Sequence, residues 1–352
     1  MAERCKQRVI TNEGIRVKEI KKCLLCGSEG VFLYQNLKDR LFKIPGIWSL
    51  MRCFKCELVW LNPQPSTDDI GKLYTEYYTH QLKSSSKKLL ENLREAVKAR
   101  ILKNQFGYSI NTQAGLVSQI LSWLGPLKEI VGGSVMYLKA NEKGYLLDVG
   151  CGNGKFLVHM RKLGWEVMGV EPDSKAVRIA RECFKLNVFQ GRLEKIKFPD
   201  NSFDVVTMNH VIEHVPNPVE LLAECYRILK PGGKLVVVTP NIQSLGRYLF
   251  GKYWRGWEIP RHLILFSPKS LQMCAEQAGL KVQSLWTLAK GACFVWIASR
   301  LIQKKKSLSE KKLKRVGLWL KMESLVFWVV EYLLSRVRNS GEEIVMKAVK
   351  VK

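Results

Sequence analysis

The 352-residue sequence predicts an α/β fold, a parallel sheet with helices on both faces. Three observations carry the prediction. Short β-rich runs alternate with helical stretches from residue 141 to about residue 290. The first run, Tyr145-Leu146-Leu147, leads into Asp148 and then three glycines at alternate positions, Gly150, Gly152 and Gly154. A new apolar period starts at once, at Phe156.

Each run can be justified in turn. Val167-Met168-Gly169-Val170 reads as the second strand and ends at Glu171. Phe203 to Met208 and Lys234 to Val238 read as later strands of the same sheet. Glycine is needed after Asp148 because a side chain would forbid the turn dihedrals or block close approach of the backbone. The spacing is G-x-G-x-G, since Lys155 stands where the dinucleotide fingerprint has its third glycine. Glu171, at the end of the second strand, is placed to accept both hydroxyls of a ribose.

Four segments follow from composition. Residues 18–66 hold two C-x-x-C pairs, Cys23/Cys26 and Cys53/Cys56, and end at the breaker cluster Asn62-Pro63-Gln64-Pro65. Two such knuckles supply four thiolates to a tetrahedral site and predict a structural zinc ribbon. Residues 67–140 read as a basic helical linker or lid, and residues 141–290 as the α/β domain. Residues 291–352 read as a basic amphipathic helical tail.

The net charge of +26 points to an anionic partner. Basic clusters near Arg300 to Arg315, beside runs such as Leu325 to Val330, suit an anionic membrane surface. Aromatic residues do not interleave with the basic runs, so nucleic acid is the weaker reading. The N-terminus has no apolar core of a signal peptide, and no stretch is apolar enough to span a bilayer. A cytoplasmic chain is expected, peripheral on the inner face of the membrane.

In its motifs the chain resembles the class I S-adenosylmethionine-dependent methyltransferases, which have a Rossmann-like fold. Asp148 to Gly154 is similar to their first motif and Gly169-Val170-Glu171-Pro172-Asp173 to their second. Phe198 to Val206, Asn209 to Pro218 and Arg227 to Gly233 resemble the three segments that follow. The resemblance implies S-adenosylmethionine as cofactor. Asp148, Gly150, Gly152 and Gly154 would form its loop, and Glu171 would hold the ribose. Leu193 and Glu194 would face the adenine, while Asn209 and His210 would line the methionine end.

A narrower resemblance extends over residues 20–285, to methyltransferases with an N-terminal zinc module, many of them acting in bacterial glycan assembly. It rests on Asn62 to Pro65, Tyr77 to His80 and Arg261 to Ser267. It implies a sugar, glycan or lipid-linked acceptor with a histidine as base, and the departure at Arg261 turns the expectation from C- to O-methylation. His262 is the first candidate base and His214 the second. Arg261 stands where related enzymes have Glu, and suggests a grip on an acceptor phosphate. Trp254 and Trp257 suggest stacking on the acceptor. An RNA methyltransferase, or a non-catalytic scaffold that keeps the fold, are the alternatives.

Overall fold

A computed structural model describes residues 10–74, 88–111, 115–304 and 316–351. Tyr77 to His80 and most of the basic cluster between residues 304 and 315 lie outside the described residues.

The centre is a seven-stranded sheet. Its strands, in chain order, are β1 (Tyr145–Val149), β2 (Glu166–Glu171), β3 (Val188–Gln190), β4 (Phe203–Asn209), β5 (Leu229–Pro240), β6 (Lys281–Leu288) and β7 (Glu343–Val349). They lie in the order β6-β7-β5-β4-β1-β2-β3. β1 to β5 pair in parallel, and β7 runs antiparallel to both its neighbours. The pleat sends alternate side chains to opposite faces. Leu147, Val206, Val237 and Met346 therefore join one core, and Leu146, Val205, Val236 and Val345 the other. Helices Pro218–Ile228 and Pro268–Gln277 contribute to the first core. Helices Lys155–Lys162, Ser174–Phe184 and Lys88–Phe106 contribute to the second. The predicted parallel sheet with helices on both faces is present.

One expectation is corrected. Residues 291–352 are not wholly a helical tail, because their end forms β7 inside the sheet. Helices Ala292–Gln303 and Leu318–Val337 precede it and pack on each other.

The N-terminal module is tied to the same body. Strands Val31–Leu37, Trp48–Arg52 and Val59–Asn62 form a sheet whose fourth strand, Ile264–Leu265, comes from the segment just after His262. Ile264 pairs with Trp60 and Leu265 with Val59. Leu61 N–H also donates to the Leu263 carbonyl at 2.9 Å. The module thus braces the backbone that carries His262.

Candidate active site

Strand order reverses between β1 and β4, and their carboxyl ends border the crevice where an open α/β sheet takes its ligand. The loop after β1 is shaped by its glycines. Gly150, Gly152 and Gly154 all have positive φ. A Cβ on Gly150 would lie 2.5 Å from Val211, whereas one on Gly152 would meet nothing within 4 Å. Gly150 is thus constrained by packing, and Gly152 faces open space. Gly154 caps the helix Lys155–Lys162 in the left-handed conformation.

Glu171 braces this loop. One carboxylate oxygen accepts from Gly152 N–H at 2.8 Å and the other from Asp173 N–H at 2.9 Å. Burial raises its pKa. Asp148 is buried, and its carboxylate accepts from the Thr207 hydroxyl at 2.7 Å. Burial pushes Asp148 up to about 7, with the Thr207 hydrogen bond opposing the shift. Leu193 is buried at the start of the short helix Leu193–Ile196, beside exposed Glu194. Arg192 donates to the Thr67 carbonyl at 3.1 Å, away from any role at the ring.

At the end of β4, Asn209 is exposed and His210 has φ of 55°. His210 Nδ1 lies 3.1 Å from Glu213, and its Nε2 lies 3.3 Å from Glu343. Burial works against charge on this ring. Its bonds to Glu213 and Glu343 overcome that and raise the pKa to about 10. Glu213 is buried and also accepts from the Thr239 hydroxyl at 2.9 Å. Burial opposes its ionisation, but His210 holds it down at about 2. The two carboxylates therefore favour the charged form of His210.

The two candidate bases come together. The rings of His214 and His262 meet edge to face, 4.8 Å between centroids. Donor atoms of Glu213, His214 and His262 lie within 4.8 Å of one another. His214 is half-buried, and its Nδ1 lies 3.1 Å from the Arg261 carbonyl and 2.9 Å from the Tyr74 hydroxyl. His262 is buried, with Nδ1 2.7 Å from the Gly256 carbonyl. A carbonyl only accepts, so His262 Nδ1 donates to Gly256. At His214, in the tautomer whose Nδ1 donates to the Arg261 carbonyl, Nε2 keeps its lone pair, while the Tyr74 hydroxyl can donate or accept. Burial lowers the His262 pKa to about 4.

Two acceptor-side expectations are corrected. Arg261 is not open to a phosphate: its guanidinium is buried, donates to the Leu73 carbonyl at 2.9 Å and sits 3.5 Å from Asp39. It also stacks on Phe42, 3.7 Å from the ring centre. Trp254 and Trp257 are buried and donate to Glu342 and to the Gly251 carbonyl, so neither offers a face to a sugar. The carboxylate beside His262 comes instead from Glu258, at 3.7 Å. The sequence reading missed Glu258, Glu343, Thr207 and Tyr74.

The four cysteines also converge. Cys23 Sγ lies 3.3 Å from Cys56, and Cys26 Sγ lies 3.4 Å from Cys53. All four sulfurs lie within 4.8 Å of one another. The knuckles are alike. Gly27 N–H donates to the Cys23 carbonyl and Glu57 N–H to the Cys53 carbonyl, each at 2.9 Å. Gly27 and Glu57 both have positive φ. Such a set fits a tetrahedral zinc ion.

Residues 128–285 match the family described as Methyltransferase domain. Over this region, a little under half of its length, the chain resembles methyltransferase domains. The chain is 30% identical over 155 residues to a ubiquinone biosynthesis O-methyltransferase of Nitrosococcus oceani, covering 40% of this chain and 64% of that protein. It is 34% identical over 122 residues to a demethylmenaquinone methyltransferase of Listeria welshimeri, covering 31% and 51%. It spans less than two thirds of the length of either relative. Among solved structures it is similar to an S-adenosylmethionine-dependent methyltransferase from Archaeoglobus fulgidus. That likeness has 22% identity, coverage of 73% of this chain and 94% of that one, and a TM-score of 0.41. These relatives are named for quinone pathways, not for sugars. The matched region carries the loop of Gly152, the Glu171 carboxylate and His210. Open space at Gly152 beside a strand-end carboxylate fits a nucleoside with a short polar arm.

Proposed function

We propose that this chain transfers a methyl group from S-adenosylmethionine to a hydroxyl oxygen of a lipid-linked ring acceptor. The contact of His214 with His262 carries the reading. S-adenosylmethionine supplies a methyl group on a positively charged sulfur, already activated for displacement. The protein's own task is to hold the partners in line and to take a proton.

Gly150, Gly152 and Gly154 let the backbone close on the cofactor, and Glu171 holds its ribose while fixing the loop. Leu193 and Glu194 border the adenine, and Asn209 lies at the methionine end. His210 is a positioning residue here, since its charge is committed to Glu213 and Glu343. His214 takes the first place as base, ahead of His262. It is half-buried and its Nε2 lone pair is available, whereas His262 is buried behind it. The acceptor hydroxyl gives its proton to His214 Nε2, leaving the oxygen electron pair to form the new bond to carbon. His262 and Glu258 orient the His214 ring. The names of the relatives favour a lipid-linked ring over the glycan that the zinc-module resemblance suggested. Structural zinc in the four-cysteine cluster and a peripheral place at the membrane belong to the same reading.

A methyl-transfer assay tests it, comparing a lipid-linked phenol, nucleotide sugars and RNA as acceptors. Turnover on the phenol is expected. His214→Ala should lower kcat by about 10²- to 10⁴-fold while cofactor affinity stays near normal. Turnover confined to nucleotide sugars or RNA would overturn the acceptor class. Unchanged kcat would reject His214 as the base.

A further inference from the structure

We infer that the exposed face of helix Leu318–Val337, with the adjoining segment of residues 116–124, is a docking surface for an anionic lipid bilayer. The helix has a clear inside. Ser324, Phe327 and Glu331 are buried, and Phe327 packs on Trp296 of helix Ala292–Gln303, 4.7 Å between ring centres. Its outside is apolar as well, which a solvent-facing helix does not require. Leu318, Trp319, Met322, Val326, Val330 and Leu333 are all exposed. At ~100° per residue they fall on one arc of about 120°.

The second element extends this surface. Leu116, Val117, Ile120 and Trp123 are exposed, on and just beyond the short helix Leu116–Leu121. Helix Gly125–Gly133, which follows this segment, meets the long helix where the Arg336 guanidinium lies 2.9 Å from Glu129 and Gly125 abuts Tyr332. Trp319 and Trp123 are 80% and 74% exposed, well beyond what packing within the chain explains. Exposed tryptophan is the residue that prefers the headgroup level of a bilayer. No helix among the described residues is long and apolar enough to cross a membrane, so the helix would lie on the surface.

Charge decides the occupant. Lys128 lies over the Trp123 ring at 5.5 Å, Lys321 is exposed on the long helix, and Arg338 is exposed just beyond its end. Residues 305–315, which connect the two packed helices in the sequence, carry six Lys or Arg and one Glu. Two copies of a chain with net charge +26 repel each other, whereas an anionic leaflet attracts such a charge. The long helix and helix Gly125–Gly133 border a cavity of about 620 Å³ lined by Gly125, Lys128, Tyr137, Leu288, Tyr332 and Arg336. Leu288 pairs in register with Glu343, the partner of His210. The surface deepens the lipid-linked reading, but its test needs no turnover.

The test is vesicle flotation of the full chain at low salt. It compares phosphatidylcholine alone with phosphatidylcholine containing about 30 mol% phosphatidylglycerol. Binding is expected only with the anionic lipid, with a blue shift of tryptophan emission and loss of binding at high salt. The double substitution Trp319→Ser and Val326→Glu alters only exposed side chains and should weaken partition by roughly tenfold or more. Binding of S-adenosylmethionine, measured calorimetrically on the same variant, should be unchanged. Equal binding of the variant and the parent to vesicles would overturn the proposal, as would equal binding to neutral lipid. A dimer in size-exclusion chromatography that the variant converts to monomer, with vesicle binding unaltered, would assign the face to a second copy and also overturn it.

Discussion

The imidazole Nε2 of His210 lies 3.3 Å from the carboxylate of Glu343, a residue 133 positions later in the chain. The strand β7 makes this contact. It enters the sheet antiparallel beside β5 and sets Glu343 at the carboxyl edge, opposite Pro240. With Glu213 on the other ring nitrogen, the imidazole is clamped between two acids.

A pH dependence of stability follows, and its sign can be worked out. The folded-state pKa of His210 is raised to about 10, so its contribution is complete below about 6.5 and is lost as pH rises through about 10. The pKa of Glu213 is lowered to about 2, so its contribution is complete above about 4.5 and is lost as pH falls through about 2. Thermal unfolding of the parent and Glu343→Gln should therefore differ most near pH 6 and converge towards pH 10. An NMR titration should find His210 still protonated at pH 8. A stability difference independent of pH would contradict the ion pair.

The glycines after β1 should separate in their effects. Gly150→Ala meets Val211 at 2.5 Å in addition to its positive φ, so loss of stability should dominate. Gly152→Ala bears only the left-handed strain, about 1–2 kcal/mol. Its methyl group would project into the open space, so cofactor affinity should fall more than stability. Calorimetric titration and thermal melts of the two variants test this contrast. Equal affinity loss in both would contradict it.

Zinc should accompany the four cysteines. Protein purified without chelator should hold about one zinc per chain, and Cys56→Ser should lose it. Because Val59–Asn62 pairs with Ile264–Leu265, metal loss should also broaden the NMR signals of the His262 segment. Metal analysis finding no zinc would refute the assignment.

Much of the fold was legible locally. β1, the glycine turn and Glu171 lie within 27 residues, and turn chemistry and strand period read directly from such a stretch. The knuckle spacing likewise predicted a cluster that the structure assembles. What escaped depends on long-range pairing. Ile344-Val345-Met346 is a β-rich run, but two helices and a basic segment separate it from the rest, so it read as tail. Glu258 escaped for a different reason. Arg261 stands where related enzymes have the carboxylate before the His, yet a left-handed turn at Glu258, with φ of 33°, brings one back from four residues upstream. Arg261 turned inward for the same reason: a buried Asp39 and the Leu73 carbonyl wait for it in the N-terminal part of the chain.

Calorimetric binding of S-adenosylmethionine to the full chain and to Glu171→Gln tests the central claim most directly. The parent should bind one cofactor per chain, and the variant should bind at least about tenfold more weakly, the loss expected for a charged hydrogen-bond partner. No binding by the folded parent, or equal binding by the variant, would contradict the account.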